Sequence, residues 1–235
     1  MSVGKATLPL VAAAGALLGA GAMWAADRGQ PSGDIGTEVR AYLLANPEVI
    51  PEAMAKLQDR ETGKQVAPIR DAIVRPYRGA WAGNPKGDVT VVEYFDYNCG
   101  YCRSSLPVIQ QLIDRDPQVR VVFRELPILS ETSRAAAGVS LAAAAAGPNQ
   151  YRRFNTALFA AGPVSPATIA SAAAAAGIDP ARVPADADAE IRRNLEVAGT
   201  LSLSGTPSWV VGNRVLSGAQ PLDALEAAVK AARAK

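Results

Sequence analysis

Hydrophobic and polar positions alternate along this chain in patterns that change several times. An uncharged apolar run fills residues 6–26, directly after Lys5. A polar, Gly/Pro-containing linker follows at 27–36. Apolar side chains then return at helical spacing: Val39, Tyr42 and Leu43, then Ile50, Met54 and Leu57, with Ile69 and Ile73 extending the stripe. Between the first two groups, Asn46-Pro47 reads as an N-cap and a proline at a first helical position. This helical piece, roughly residues 37–74, is too thin to bury its own stripe. It must pack on the main domain or on a second copy of itself.

Residues 76–88 read as a second linker, closed by the turn signal Asn84-Pro85-Lys86-Gly87-Asp88. Beyond it the period shortens. Residues 89–97 and 119–124 have the β-branched and aromatic content of strands, and a helix runs from Cys99 to about Asp114, so the order is strand, helix, strand. Residues 130–202 are helical, punctuated by Ser130, Gly147-Pro148, Gly162-Pro163, Ser165-Pro166, Gly177 and Asp179-Pro180. The alanine runs at 142–146 and 172–176 suit closely packed helices and need no internal duplication. Strands at 208–211 and 214–216 flank the hairpin signal Gly212-Asn213, and a last helix spans 221–232.

Composition narrows the chemistry. The chain has 235 residues, with 24 basic and 22 acidic side chains interspersed, so no basic stripe points to nucleic acid. It has no histidine and two cysteines. Serine–histidine and cysteine–histidine nucleophile pairs are thereby excluded, and two thiols alone do not complete a zinc site. No metal site is expected. Lys5 followed by the apolar run reads as an export signal, with Ala20-Gly21-Ala22 as a cleavage site. The run is also long enough, at roughly 20 residues, to stay as an anchor. Either fate places the body in an oxidising envelope compartment, where disulfides persist.

The chemistry centres on Cys99-Gly100-Tyr101-Cys102. A CxxC between a strand and a helix reads as a redox motif. Cys99 falls just before the helix, where unpaired backbone N–H groups and the helix dipole favour a thiolate. Cys102, one turn further in, is placed to resolve a mixed disulfide. A structural disulfide usually closes a longer loop, whereas this pair would staple nothing. The pair by itself would otherwise favour Cu(I), as a copper-binding or thiol-protecting module.

The stretch Val91-Val92-Glu93-Tyr94-Phe95-Asp96-Tyr97-Asn98-Cys99-Gly100-Tyr101-Cys102 resembles the active-site segment of the DsbA family of thioredoxin-fold proteins. Pro107, inside the following helix, and Gly205-Thr206-Pro207, entering a strand, match further family positions, and the inserted helices fit the same pattern. The resemblance implies an α/β thioredoxin-like fold over residues 84–235, with a helical insertion at about 130–202. It is preceded by a signal or anchor at 1–26 and a helical region with linker at 27–83. It implies a thiol–disulfide oxidoreductase, oxidase or isomerase, whose only redox group is the Cys99–Cys102 disulfide. Glu93, on a strand apolar on both faces, would be a desolvated acid that exchanges a proton with Cys102. Thr206 and a cis Pro207 would offer backbone to an extended client segment, with Gly100 and Tyr101 at the client-contacting rim. Gly100-Tyr101 replaces the family's best-known Pro-His dipeptide and puts no imidazolium beside Cys99, which points to a less oxidising pair. Glu93, Thr206 and Pro207 have no needed role in simple copper capture.

Tyr42-Leu43-Leu44-Ala45-Asn46-Pro47-Glu48-Val49-Ile50, followed by Met54 and Leu57-Gln58, is similar to the N-terminal region of ScsC-type proteins, a DsbA-like group linked to copper tolerance. That resemblance implies a homo-oligomer, a trimer in some members, formed through residues 37–74. The implied partners are cysteine-containing clients and a membrane redox partner that reoxidises or reduces the pair. Nucleic acid is not among them.

Overall fold

The computed structural model describes residues 35–234, so the export segment expected at 1–26 lies outside the described residues. The chain divides into two compact units, Met1–Met54 and Ala55–Lys235.

The first unit contains helix α1 (Ile35–Ala45) and the opening turns of α2 (Val49–Val66). Asn46 does not cap α2. Its backbone N–H and its side-chain Nδ2 both donate to the Tyr42 carbonyl, at 2.8 and 2.9 Å. It therefore closes α1 by satisfying a carbonyl left unpaired at the helix end.

The second unit is built on a five-stranded sheet. In chain order its strands are β1 (Trp81–Gly83), β2 (Val89–Phe95), β3 (Val119–Glu125), β4 (Ser208–Val211) and β5 (Arg214–Ser217), arranged β1-β3-β2-β4-β5. Strands β2 and β3 are parallel, and every other pairing is antiparallel. Their parallel pairing needs a crossover, supplied by α4 (Gly100–Arg115), which follows the short α3 (Arg70–Val74) in chain order. Strand β1 lies inside the stretch that reads as a linker. Three residues are too few to show an alternation; only pairing reveals it, with Trp81 opposite Val122. Gly83 has a φ of 79°, and a Cβ there would stand 2.5 Å from the Val119 carbonyl oxygen, so the close approach of β1 to β3 requires glycine.

Val and aromatic residues on both faces bury β2 and β3 along their length except at Thr90 and Arg120. Val91, Phe95, Val121 and Phe123 join one core with Ile109 and Leu112 of α4. Val92, Tyr94 and Val122 join a second core, with Val66 of α2 and Ile73 of α3. The helical stripe noted above thus divides. Ile69 and Ile73 pack against the second core, whereas Val39, Tyr42, Ile50, Met54 and Leu57 stay exposed.

Between β3 and β4 come α5 (Glu131–Ala146), α6 (Pro148–Ala160), α7 (Pro166–Ala176) and α8 (Ala187–Thr200), and the chain closes with α9 (Leu222–Arg233). Their boundaries follow local chemistry. Ser130 caps α5 by accepting from the Ser133 N–H. Ser165 and Thr168 form a capping box on α7, and Gly177 ends that helix in the left-handed conformation. Ala136, Ala137, Ala143, Ala144, Ala172 and Ala173 are all buried, so the alanine runs are contact surfaces between helices. On the second face of the sheet, Arg124 forms a buried ion pair with Glu190 of α8 at 2.5 Å. It also donates to the carbonyls of Ala72, Ile73 and Arg75, which ties α3 to the sheet.

Candidate functional site

Strand β2 carries the chain to the site, and the turn after it aims the cysteines. Asp96 organises that turn. Its carboxylate accepts from the backbone N–H groups of Asn98, Ile128 and Leu129 and from the Ser133 hydroxyl at 2.6 Å. Asn98 in turn donates to the Ser130 and Ser133 hydroxyls, so the segment leading to the cysteines is fastened to the start of α5.

Cys99 occupies the N-cap of α4 in an extended conformation, and its N–H is held by the Asp96 carbonyl. Its side chain makes no cap hydrogen bond, and it stands at the helix end where the first-turn N–H groups and the helix dipole favour negative charge. Cys102 sits one turn inside the helix. Both are free thiols, and their exposures differ: 7% for Cys99 and 1% for Cys102. A side chain on Gly100 would meet nothing within 4 Å, and Tyr101 is 70% exposed, so the surface over Cys99 is open. Pro107 lies within α4 and exposes part of its ring on the outer surface.

The loop before β4 closes the other side. The Thr206-Pro207 peptide is cis, and the Cys99 Sγ lies 3.2 Å from the Thr206 carbonyl oxygen. Pro207 is buried and Thr206 half-buried. The loop is braced by the Ser208 hydroxyl donating to the Gly205 carbonyl and by the Gly218 N–H donating to the Pro207 carbonyl.

Glu93 projects from β2 behind the cysteines, paired in register with Trp209 and Phe123. It is 2% exposed, and its Oε1 has no hydrogen-bond partner among the described residues. Burial holds its carboxyl well above the ordinary carboxylate range, and the Cys99 charge pushes the same way. The Cys102 thiol is raised as well, first by burial and then by the Glu93 charge. Cys99, Cys102, Glu93, Thr206 and Pro207 thus converge on one spot, with Gly100 and Tyr101 on its open side.

Two acids escaped the sequence reading. Asp96 looks like a turn residue in sequence, yet it is 1% exposed and holds the approach to Cys99. Glu125 ends the apolar run of β3 and is equally buried. A carboxylate inside a run of β-branched and aromatic residues was the available signal for Glu125, the same one that marks Glu93. Among the described residues, no group of three or more acidic, thiol or imidazole side chains is placed to hold a metal, and no helix is long and apolar enough to cross a membrane.

Comparison with known proteins accords with this geometry. The DSBA-like thioredoxin domain family matches residues 90–230, and the Copper resistance protein ScsC N-terminal domain matches residues 34–62. A thioredoxin-like oxidoreductase from Silicibacter pomeroyi DSS-3 is 37% identical with a TM-score of 0.66, over 71% of this chain and 98% of its own. A periplasmic thioredoxin-like protein from Salmonella enterica serovar Typhimurium is 29% identical with a TM-score of 0.66, over 71% of this chain and 97% of its own. The Na(+)/H(+) antiporter NhaA 1 of Salinispora arenicola is 31% identical over 165 residues, which cover 68% of this chain. The chain spans about a quarter of the length of the curated relatives it matches. With the CxxC at a helix start, the cis-proline loop against it and the buried acid behind it, the chain belongs to the DSBA-like thioredoxin domain family, with an N-terminal segment that matches the ScsC N-terminal domain.

Proposed function

We propose that this protein exchanges disulfides with cysteine-containing client proteins in the cell envelope, using Cys99 and Cys102 as its redox-active pair. One observation carries the reading: the more accessible sulfur, Cys99, sits at a helix N-terminus 3.2 Å from the Thr206 carbonyl, while its partner is buried beside Glu93.

In the oxidising direction a client thiolate attacks the Cys99 sulfur. The Cys99–Cys102 bond breaks and a Cys99–client bond forms. Cys102 leaves as a thiolate and takes the proton of Glu93. A second client thiolate then attacks the client sulfur of the mixed disulfide and expels Cys99 as a thiolate. The client has lost two electrons and the pair has gained them. In reverse, Cys99 opens a client disulfide, Glu93 accepts the Cys102 proton, and Cys102 closes on Cys99. Isomerisation uses the first half of the reverse path, with a client thiol in place of Cys102 and no net electron transfer. The Thr206-Pro207 loop receives an extended client segment, and Tyr101 contacts it. A membrane redox partner resets the pair. The pattern of residues 1–26 and the periplasmic Salmonella relative support the envelope location.

A second observation extends the reading to assembly. Val39, Tyr42, Leu44, Ile50, Met54 and Leu57 expose about half or more of their surface, a density of apolar side chains that marks an interaction surface. Residues 37–74 therefore join copies of this chain, as a trimer, bringing several CxxC sites to one client and favouring isomerisation. The test of the core reading is refolding of a scrambled-disulfide protein by the wild type and by Cys99→Ser. The wild type restores native activity and the variant does not; equal performance overturns the assignment.

A further inference from the structure

We propose that Glu125 is a second buried acid of the redox site, a positioning residue that acts on Cys102 through Glu93. The inference rests on the roles given above to Cys99, Cys102 and Glu93.

The placement follows from register. Phe123 lies opposite Glu93, and Glu125 opposite Phe95, in the parallel β2–β3 pair. Side chains alternate along a strand, so Glu93, Phe95, Phe123 and Glu125 share the face that packs under α4. The two residues are diagonal neighbours on that face, their Cα atoms about 8 Å apart by strand geometry. Both are 2% exposed.

Glu125 is held by a hydrogen-bond set with a single direction. The Ser140 hydroxyl donates to its Oε1 at 2.6 Å, and the Tyr151 hydroxyl approaches the same oxygen at 3.5 Å. When Glu125 is ionised the Ser140 proton goes to it, and Tyr97, whose hydroxyl lies 2.8 Å from Ser140 Oγ, is then the donor of that pair. Asn155 Nδ2 donates to the Tyr97 oxygen at 3.3 Å. Every donor in the set points inward, the wiring of a group that carries negative charge for part of its cycle. Tyr151 and Asn155 also line a cleft of about 250 Å³ with Trp81, Leu106, Pro107 and Phe123, so the set connects Glu125 to the surface. The Oε1 of Glu93, by contrast, has no hydrogen-bond partner among the described residues.

The charged and titratable groups facing Glu125 are Glu93 of β2, Asp96 and Tyr97 in the turn after it, and Tyr151 of α6. None is cationic, and Arg124 points to the opposite face with Glu190. Two carboxyls on one dry face oppose each other's ionisation and titrate as a pair. When Glu93 takes the Cys102 proton, the site loses a charge near Glu125, which then ionises; the Ser140 and Tyr151 hydroxyls donate to the new carboxylate, and the proton leaves to solvent at the cleft that Tyr151 lines. When Glu93 gives up its proton to the departing Cys102, Glu125 takes one back.

The test is the pH profile of mixed-disulfide resolution by Cys102 in Glu125→Gln, Glu93→Gln and the wild type. Glu125→Gln keeps a hydrogen-bonding side chain and removes the charge. Glu93 then ionises at lower pH, and resolution on the acidic limb becomes faster, up to about tenfold for one unit of displacement. If Glu125→Gln misfolds, Tyr151→Phe replaces it. Loss of that donor keeps Glu125 protonated to higher pH and moves the limb in the same direction. A profile unchanged in these variants, with stability alone affected, overturns the role of Glu125 if Glu93→Gln still flattens the limb. A profile unchanged in Glu93→Gln overturns the proton role of Glu93 beneath it.

Discussion

Replacing Glu93 by leucine should make the protein more stable and less active at once. The carboxyl is 2% exposed and one of its oxygens has no partner. A buried polar atom left unsatisfied costs about 1–3 kcal/mol, and leucine of similar volume removes that cost. The pH dependence identifies the cause. Burial raises the Glu93 carboxyl in the folded state above its unfolded value. The folded state therefore binds more protons than the unfolded state once pH exceeds the ordinary carboxylate range. Wild-type stability falls as pH rises through that window, at about 1.4 kcal/mol per unit from this group, until Glu93 ionises in the folded state. The leucine variant lacks this term. Its advantage should therefore be smallest near pH 4 and widen toward neutrality, reaching at least about 1 kcal/mol at pH 7. The assay is urea unfolding of the reduced proteins, followed by circular dichroism at several pH values. An advantage that is absent, or constant between pH 4 and pH 7, would refute desolvation as the property that defines this residue. Glu125 responds to pH in the same sense; without the Glu93 carboxyl opposing its ionisation its own loss is smaller in the variant, which adds to the widening.

Glu190→Ala should lower stability by about 3–5 kcal/mol, because Arg124 is left charged, 4% exposed and without its carboxylate. A urea titration at constant slope measures it, and a loss under about 1 kcal/mol would show that the carbonyls of Ala72, Ile73 and Arg75 hold the guanidinium alone. Val39→Glu combined with Leu44→Glu should reduce the particle mass in sedimentation to that of one chain while leaving the reactivity of Cys99 with a small disulfide unchanged. A mass that does not change removes residues 37–74 as the assembly surface.

The helix boundaries in the insertion were legible because each is set by a few neighbouring residues. Ser130, Ser165 and Gly177 act on backbone groups within four positions, so their effect does not wait for the rest of the fold. The CxxC at a helix start was legible for the same reason. Asn46 misled because capping from either side uses the same side-chain amide. Only the position of the Tyr42 carbonyl relative to it decides which helix it ends.

By itself, the sequence determined the strand–helix–strand frame around Cys99 and Cys102, the absence of imidazole chemistry and the apolar setting of Glu93. These follow from composition and from periodicities of two and 3.6 residues. Tertiary structure alone decided that Trp81–Gly83 is a sheet edge, that Val66 and Ile73 serve the second core, and that Asp96 gathers donors from the chain about 30 residues away. It also decided that Glu125 shares a face with Glu93, and that the Thr206 carbonyl meets the Cys99 sulfur across 107 positions. Each of these is a pairing between distant segments, and the energy of such a pairing depends on register and packing, which no local pattern encodes.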